Sequence, residues 1–141
     1  MSVIADIATA VVEALNAGEF SQEFTAVRHY LPTFDLKDMK DLHVSVVPKG
    51  VEMSTAGRGL AQDDVQIDVA VQKKLSAGDL AEIDALVALV QEIADFVRST
   101  GRFGDAAWVR TENTPIYSPE HLENLRQFTS VLTLTLRVVR T

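Results

Sequence analysis

From Gln127 to Arg140 the chain alternates without a turn former. Phe128, Leu132, Leu134, Leu136 and Val138 fall on one side of an extended backbone, and Thr129, Thr133, Thr135 and Arg137 on the other. A side-chain period of two over so long a stretch predicts a strand with one buried and one wet face, interrupted on the polar side only by Val131 and Val139. At about 3.3 Å per residue such a strand spans about 45 Å, beyond the usual length of about five or six residues. A strand that outruns its sheet overhangs, and an overhanging edge invites a neighbouring subunit.

The other periodic segments build around it. Val65, Ile67, Val69 and Val71 alternate with Asp64, Gln66, Asp68 and Gln72, a second strand with one polar face. Ile4, Ile7, Ala8, Val11, Val12 and Leu15 form one helical stripe, with Ser2 to cap its start and Gly18 to end it. Asp79 followed by Glu82 is a capping-box start for a long helix striped by Leu80, Ile83, Leu86, Val87, Val90, Ile93, Ala94 and Val97, ending near Gly101. Phe24–Tyr30, stopped at Pro32, and Leu42–Val47, stopped at Pro48, read as two further strands. Asp35, Lys37, Asp38, Lys40 and Asp41 read as a solvated turn between them. A strand-like stretch begins at Trp108, and Ser118-Pro119-Glu120 opens one or two helical turns.

The expected architecture is therefore α+β: a mostly antiparallel sheet of four to five strands packed against two helices, in the order α-β-β-β-α-β-β. Residues 1–141 form one domain in this reading. Residues 49–63, with Gly50, Gly57 and Gly59, are expected to be a mobile loop too long for a tight hairpin turn.

Composition removes several functions. The absence of cysteine excludes disulfides, thiolate metal sites and a cysteine nucleophile. Thirteen basic residues against 20 acidic ones leave a net charge of −7, which opposes gripping a phosphate backbone. No apolar run approaches the roughly 18 residues of a membrane span, and Asp6 and Glu13 stand where a secretion signal would be basic and then apolar.

Catalytic and metal patterns are weak. Asp64 and Asp68 would lie about 13 Å apart along one strand face, outside the roughly 5–9.5 Å that paired carboxylates use. Asp63 and Asp64 point to opposite faces, and His29, His43 and His121 lack the spacing that sets two imidazoles on one metal. Gly57-Arg58-Gly59 lacks the phosphate-loop pattern and suits an arm that docks on another subunit. Trp108 reads as core and Tyr117, between Pro115 and Pro119, as an exposed subunit contact. No catalytic residue, cofactor or metal ligand is expected; a small ligand-binding domain or enzyme would have to use Asp64, Asp68 and His43 around a pocket.

The element order, the long segment between the second and third strands, the run Asp64–Lys74 and the closing run Phe128–Arg137 together resemble small neck and tail proteins of bacteriophages and prophages, in particular the tail terminator, or tail-completion, group. The resemblance runs from Ile4 to Arg140. It implies a hexameric ring, located in the virion and made in the host cytoplasm, that caps the tail tube, halts its polymerisation and meets the head–tail connector. It also implies DNA only as a passing occupant of the channel, no membrane and no enzymatic residues. A head–tail joining or tube-like protein would share these properties. A closed ring needs two different complementary patches on each chain. The expected patches are the polar face of Asp64, Gln66 and Asp68 and the arm at Arg58, with Tyr117 as a further contact.

Overall fold

The computed structural model describes residues 3–30 and 41–140. The helices are α1 (Val3–Ala17), α2 (Leu80–Thr100) and α3 (Pro119–Leu125), and the strands are β1 (Ala26–Arg28), β2 (His43–Gly57), β3 (Leu60–Lys74), β4 (Arg102–Phe103), β5 (Ala106–Glu112) and β6 (Gln127–Arg140). One six-stranded sheet runs in the order β1-β2-β3-β6-β5-β4. The fold is α+β, as expected, with a sixth strand supplied by the two-residue β4.

The two strongly alternating segments lie side by side at the centre. β6 pairs antiparallel with β3 along its whole length, from Gln127 opposite Lys74 to Arg140 opposite Ala61. The long terminal strand does not overhang β3, which is one residue longer, so the expected overhang is corrected. Residues directly opposite share a face, so Val65, Ile67 and Val69 stack against Leu136, Leu134 and Leu132. All six are at most 1% exposed. α1 buries Ile7, Ala8, Val11 and Leu15 on this face and α2 buries Leu86, Leu89, Val90, Ile93 and Val97, so the core is one layer between sheet and helices.

Residues 49–63 are corrected from loop to hairpin. β2 continues through Pro48 by a bulge between Pro48 and Gly50 and runs on to Gly57, and β3 starts at Leu60. Proline lacks only its amide donor, and a bulge places that gap where no ladder bond is needed. Arg58 and Gly59 make the turn, with Gly59 at φ 72°, a left-handed conformation that glycine adopts without a Cβ clash. β1 is shorter than expected and parallel to β2, with Ala26–Arg28 beside Val44–Val46. It is tied to α1 by the Asn16 amide, whose Oδ1 accepts from the Ala26 N–H at 2.7 Å and whose Nδ2 donates to the Ala26 carbonyl at 3.1 Å. The Ser2 cap, Pro32 and the charged positions 35–40 lie outside the described residues.

The start of α2 is over-determined. Asp79 accepts from the Glu82 N–H at 2.9 Å, while the Glu82 carboxylate accepts from the N–H groups of Ser76, Ala77 and Gly78 and from the Ser76 hydroxyl. Gly101, at φ 72°, closes the other end by donating to Val97. The backbone donors of Gly78 and Ser76 hold the Glu82 carboxyl down to about 2, against an ordinary value of 4.5.

Two outcomes are expected. Ile67→Ala, which empties a fully buried site between two long strands, lowers unfolding free energy by about 2–5 kcal/mol in urea titrations. Glu82 has a depressed folded-state pKa, so its contribution is complete above 4.5 and fades as pH falls toward about 2. Glu82→Gln therefore costs about 1–2 kcal/mol at neutral pH and removes that acid-side decline from the stability–pH curve.

Candidate functional site

The sheet has one covered face and one largely polar face. Register assigns Asp64, Gln66 and Asp68 of β3, with Arg137, Thr135 and Thr133 opposite them on β6, to the polar face. Among the described elements, α3 and the stretch leading to it lie on this side, where the His121 ring nitrogen Nδ1 meets the Thr129 hydroxyl at 2.8 Å.

The polar face is bonded to itself. Arg137 donates twice to Asp64, at 2.8 and 3.1 Å. These bonds hold the Asp64 carboxyl below its ordinary value against the opposing effect of burial, and Asp64 in turn raises Arg137. The Thr133 hydroxyl donates to Asp68 at 2.7 Å, and Lys49 lies 3.8 Å from the same oxygen. Asp63 points to the helix-bearing side, where it is 2% exposed, with one oxygen 2.7 Å from Arg140 and the other without a partner among the described residues. Asp64 and Asp68 are thus two separate cross-strand pairs. Each is consumed by β6, which qualifies their reading as a free complementary patch.

His29 and His43 do not converge. In the parallel register of β1 and β2, His29 follows the paired segment and His43 precedes it, which separates them by about four residues, or about 13 Å. Among the described residues no group of three or more His, Asp or Glu could hold a metal ion. No described helix is long and apolar enough to cross a membrane.

Two of the clefts are lined in part by groups already engaged. One of ≈ 680 Å³ lies between the start of α1 and the end of β6. Two of its arginines, Arg137 and Arg140, are committed to Asp64 and Asp63. A second, of ≈ 430 Å³, lies between α2 and β5 over Val90, Ala94, Trp108 and Leu132. Trp108 is half-buried there, as expected of a core residue, and its indole N–H donates to Thr111 at 2.9 Å. Tyr117 also packs against the core, which corrects its reading as an exposed contact: the stretch before α3 folds back onto the sheet, where the Ser118 N–H donates to Thr129.

What stands free is the outer edge of β2 from Val51 to Gly57 with the turn that follows, since β3 is paired with β6 as far as Ala61. Every residue from Val51 to Leu60 is exposed, Met53 by 70%. β1 covers β2 only as far as Val46, with one further bond from the His29 N–H to Val46, and no described strand pairs with the outer edge of β2 beyond it. Arg58 sits at the turn. Sequence reasoning missed the strands of this arm and the exposed Val51, Met53 and Leu60 on them, although Val51, Met53 and Thr55 do alternate with Glu52 and Ser54.

No protein-family model matches the chain, and no curated protein matches it. Among solved structures, a chain described as "Virion of native gene transfer agent (GTA) particle" is similar over 99% of this chain and 96% of that one, at 15% sequence identity and a TM-score of 0.46.

Because every residue from Val51 to Leu60 is exposed, the arm tip is expected to be dispensable for folding. Replacing Ala56–Leu60 by Asn-Gly joins Thr55 to Ala61, already a cross-strand pair, through a two-residue turn and leaves the pairing of β3 with β6 intact. The shortened chain is expected to keep its unfolding free energy, from urea titrations, within about 1 kcal/mol of the parent. A loss of cooperative unfolding would show that the tip supports the core.

Proposed function

We propose that this chain is a structural subunit of a bacteriophage or phage-like virion, forming a ring that caps the tail tube, ends its polymerisation and joins the tail to the head. The observation that carries this reading is the arm: the outer end of the β2–β3 hairpin, exposed from Val51 to Leu60, beside an edge of β2 that no described strand covers. Monomeric proteins blunt such edges, and proteins that assemble leave them available. The resemblance of the sequence to tail terminators supplies the setting, and identical subunits in a ring supply the partner.

The electrostatics fit a channel more than a DNA-binding surface. At a net charge of −7 the subunit does not hold passing DNA. The partners in this reading are further copies of the chain, in a ring of six, together with the tail tube protein and the head–tail connector. The arm tip at Arg58 is the element available to a neighbouring part of the particle. An enzyme is the weaker reading, because the carboxylates it would need, Asp64 and Asp68, are held apart and bonded to β6.

The test is genetic and structural. Cells that encode the particle but lack this chain are expected to accumulate tubes of irregular length and heads without tails in negative-stain micrographs. Particles purified from the parent should contain the chain in fixed proportion by mass spectrometry. Tailed particles of normal length in the deletion strain would overturn the proposal.

A further inference from the structure

The outer edge of β2 carries a hydrogen-bonding pattern that its neighbours reveal. The Val46 carbonyl accepts from the His29 N–H, so Val46 turns its backbone groups away from Val69, its partner on β3. β3 pairs with β6 residue for residue, so the alternation carries along it two positions at a time. Val51 beside Val65, Met53 beside Asp63 and Thr55 beside Ala61 therefore direct their amides and carbonyls outward, where no described strand receives them.

We infer that this edge is self-complementary: two copies join antiparallel through Glu52–Gly57 of β2, about a two-fold axis at Ser54, and the sheet continues from one copy into the other. The contact does not rest on the ring, since a two-fold contact uses one patch on both copies and a ring uses two different ones.

Room and charge select the register. Residues directly opposite share a face, so the axis of such a pair passes through a residue that meets its own copy. At Glu52 the axis would set two carboxylates against each other. An axis at Met53 would carry the second copy's turn to the level of Pro48, where Tyr30 follows His29 along the same edge. With the axis at Ser54 that turn reaches only the level of Val51, two β3 residues or about 7 Å short of Pro48. Moving the axis on to Thr55 leaves one bonded pair in place of two.

The Ser54 register is also the one in which the side chains match. Met53 and the second copy's Thr55 form a bonded pair, as do Thr55 and the second copy's Met53, each pair exchanging two hydrogen bonds. Glu52 falls opposite Gly57, which has no side chain, with Ala56 bulged out of register and Arg58 next along. Glu52 and Arg58 are the only charged residues from Gly50 to Leu60, and both are exposed. Antiparallel overlap thus brings each beside the opposite charge of the other copy, twice by symmetry. On the helix-bearing face the two Met53 side chains, each 70% exposed in the single chain, become diagonal neighbours within reach of one another. One such contact is weak and reversible; subunits that present their arms together repeat it at every arm.

Cross-linking reads the register directly, because the chain has no native cysteine. At the axis the two Ser54 Cα atoms lie about 4.5 Å apart, within disulfide range. The two Glu52 residues lie four positions apart along the strands, about 13 Å, outside it. Under mild oxidation, Ser54→Cys is expected to form covalent dimers about tenfold faster than the equally exposed Glu52→Cys. Charge reversal is the second arm. In the Ser54→Cys chain, Glu52→Arg or Arg58→Glu alone should slow cross-linking about fivefold, and the two together should restore the rate to within about twofold. Equal rates from the two cysteine positions, or a faster dimer from Glu52→Cys, would overturn the inference, as would reversals that add instead of compensating. A chain that sets tail length in the deletion strain yet never cross-links through Ser54 overturns this contact and leaves the assembly reading intact. One that cross-links as expected but whose loss leaves tails normal does the reverse.

Discussion

The pairing of β3 with β6 is the constraint from which the rest of the molecule follows. Two long strands, distant in sequence, lie in register from Lys74 beside Gln127 to Ala61 beside Arg140. Because the side-chain period is two, that register sorts every residue of both strands between faces, and a slip of one would send Ile67 and Leu134 to solvent. The other elements dock on the sorted faces: α1 and α2 on the aliphatic one, α3 at one end of the polar one. The cross-strand pairs Asp64–Arg137 and Asp68–Thr133 add specificity to the same alignment, since a slipped register would separate both.

What the sequence made legible follows from this division. β6 and α2 were readable almost to the residue because their patterns are enforced by burial on one side and by caps at the ends: Asp79 and Gly101 bound α2 as anticipated. The arm was illegible for the complementary reason. Exposed throughout, residues 51–60 are under no pressure to alternate polarity strongly, and their glycines, serine and threonine carry a loop signature. Pro48 was read as a terminator because proline usually ends a ladder, and a bulge next to it cannot be deduced from composition.

The candidate site was legible in part for a related reason. Strand alternation placed Asp64, Gln66 and Asp68 together on a polar face, and that placement holds. Their partners could not be read, because Arg137 and Thr133 lie about seventy residues away and become neighbours only through register. The parallel β1 was similarly hidden: three residues carry no period, and its direction is set by the Asn16 amide and by packing on α1. Tyr117 was misjudged because two flanking prolines describe the local backbone and say nothing of the surface on which it folds.

The distribution of edge protection links this architecture to assembly. Near β1 the edge of β2 carries Pro48, a bulge and Lys49, three features that discourage further pairing. Beyond them, Gly50 to Gly57 holds a single charge, Glu52, among small and apolar residues. An edge guarded throughout would belong to a solitary subunit, and an edge bare throughout would aggregate without register. One guarded up to a fixed point and bare beyond it admits a partner strand at a limited set of positions. A charge such as Glu52 is too exposed to contribute much affinity, so its value lies in choosing among those positions. Strength then has to come from repetition around a closed ring, which ties the stability of the contact to completion of the assembly.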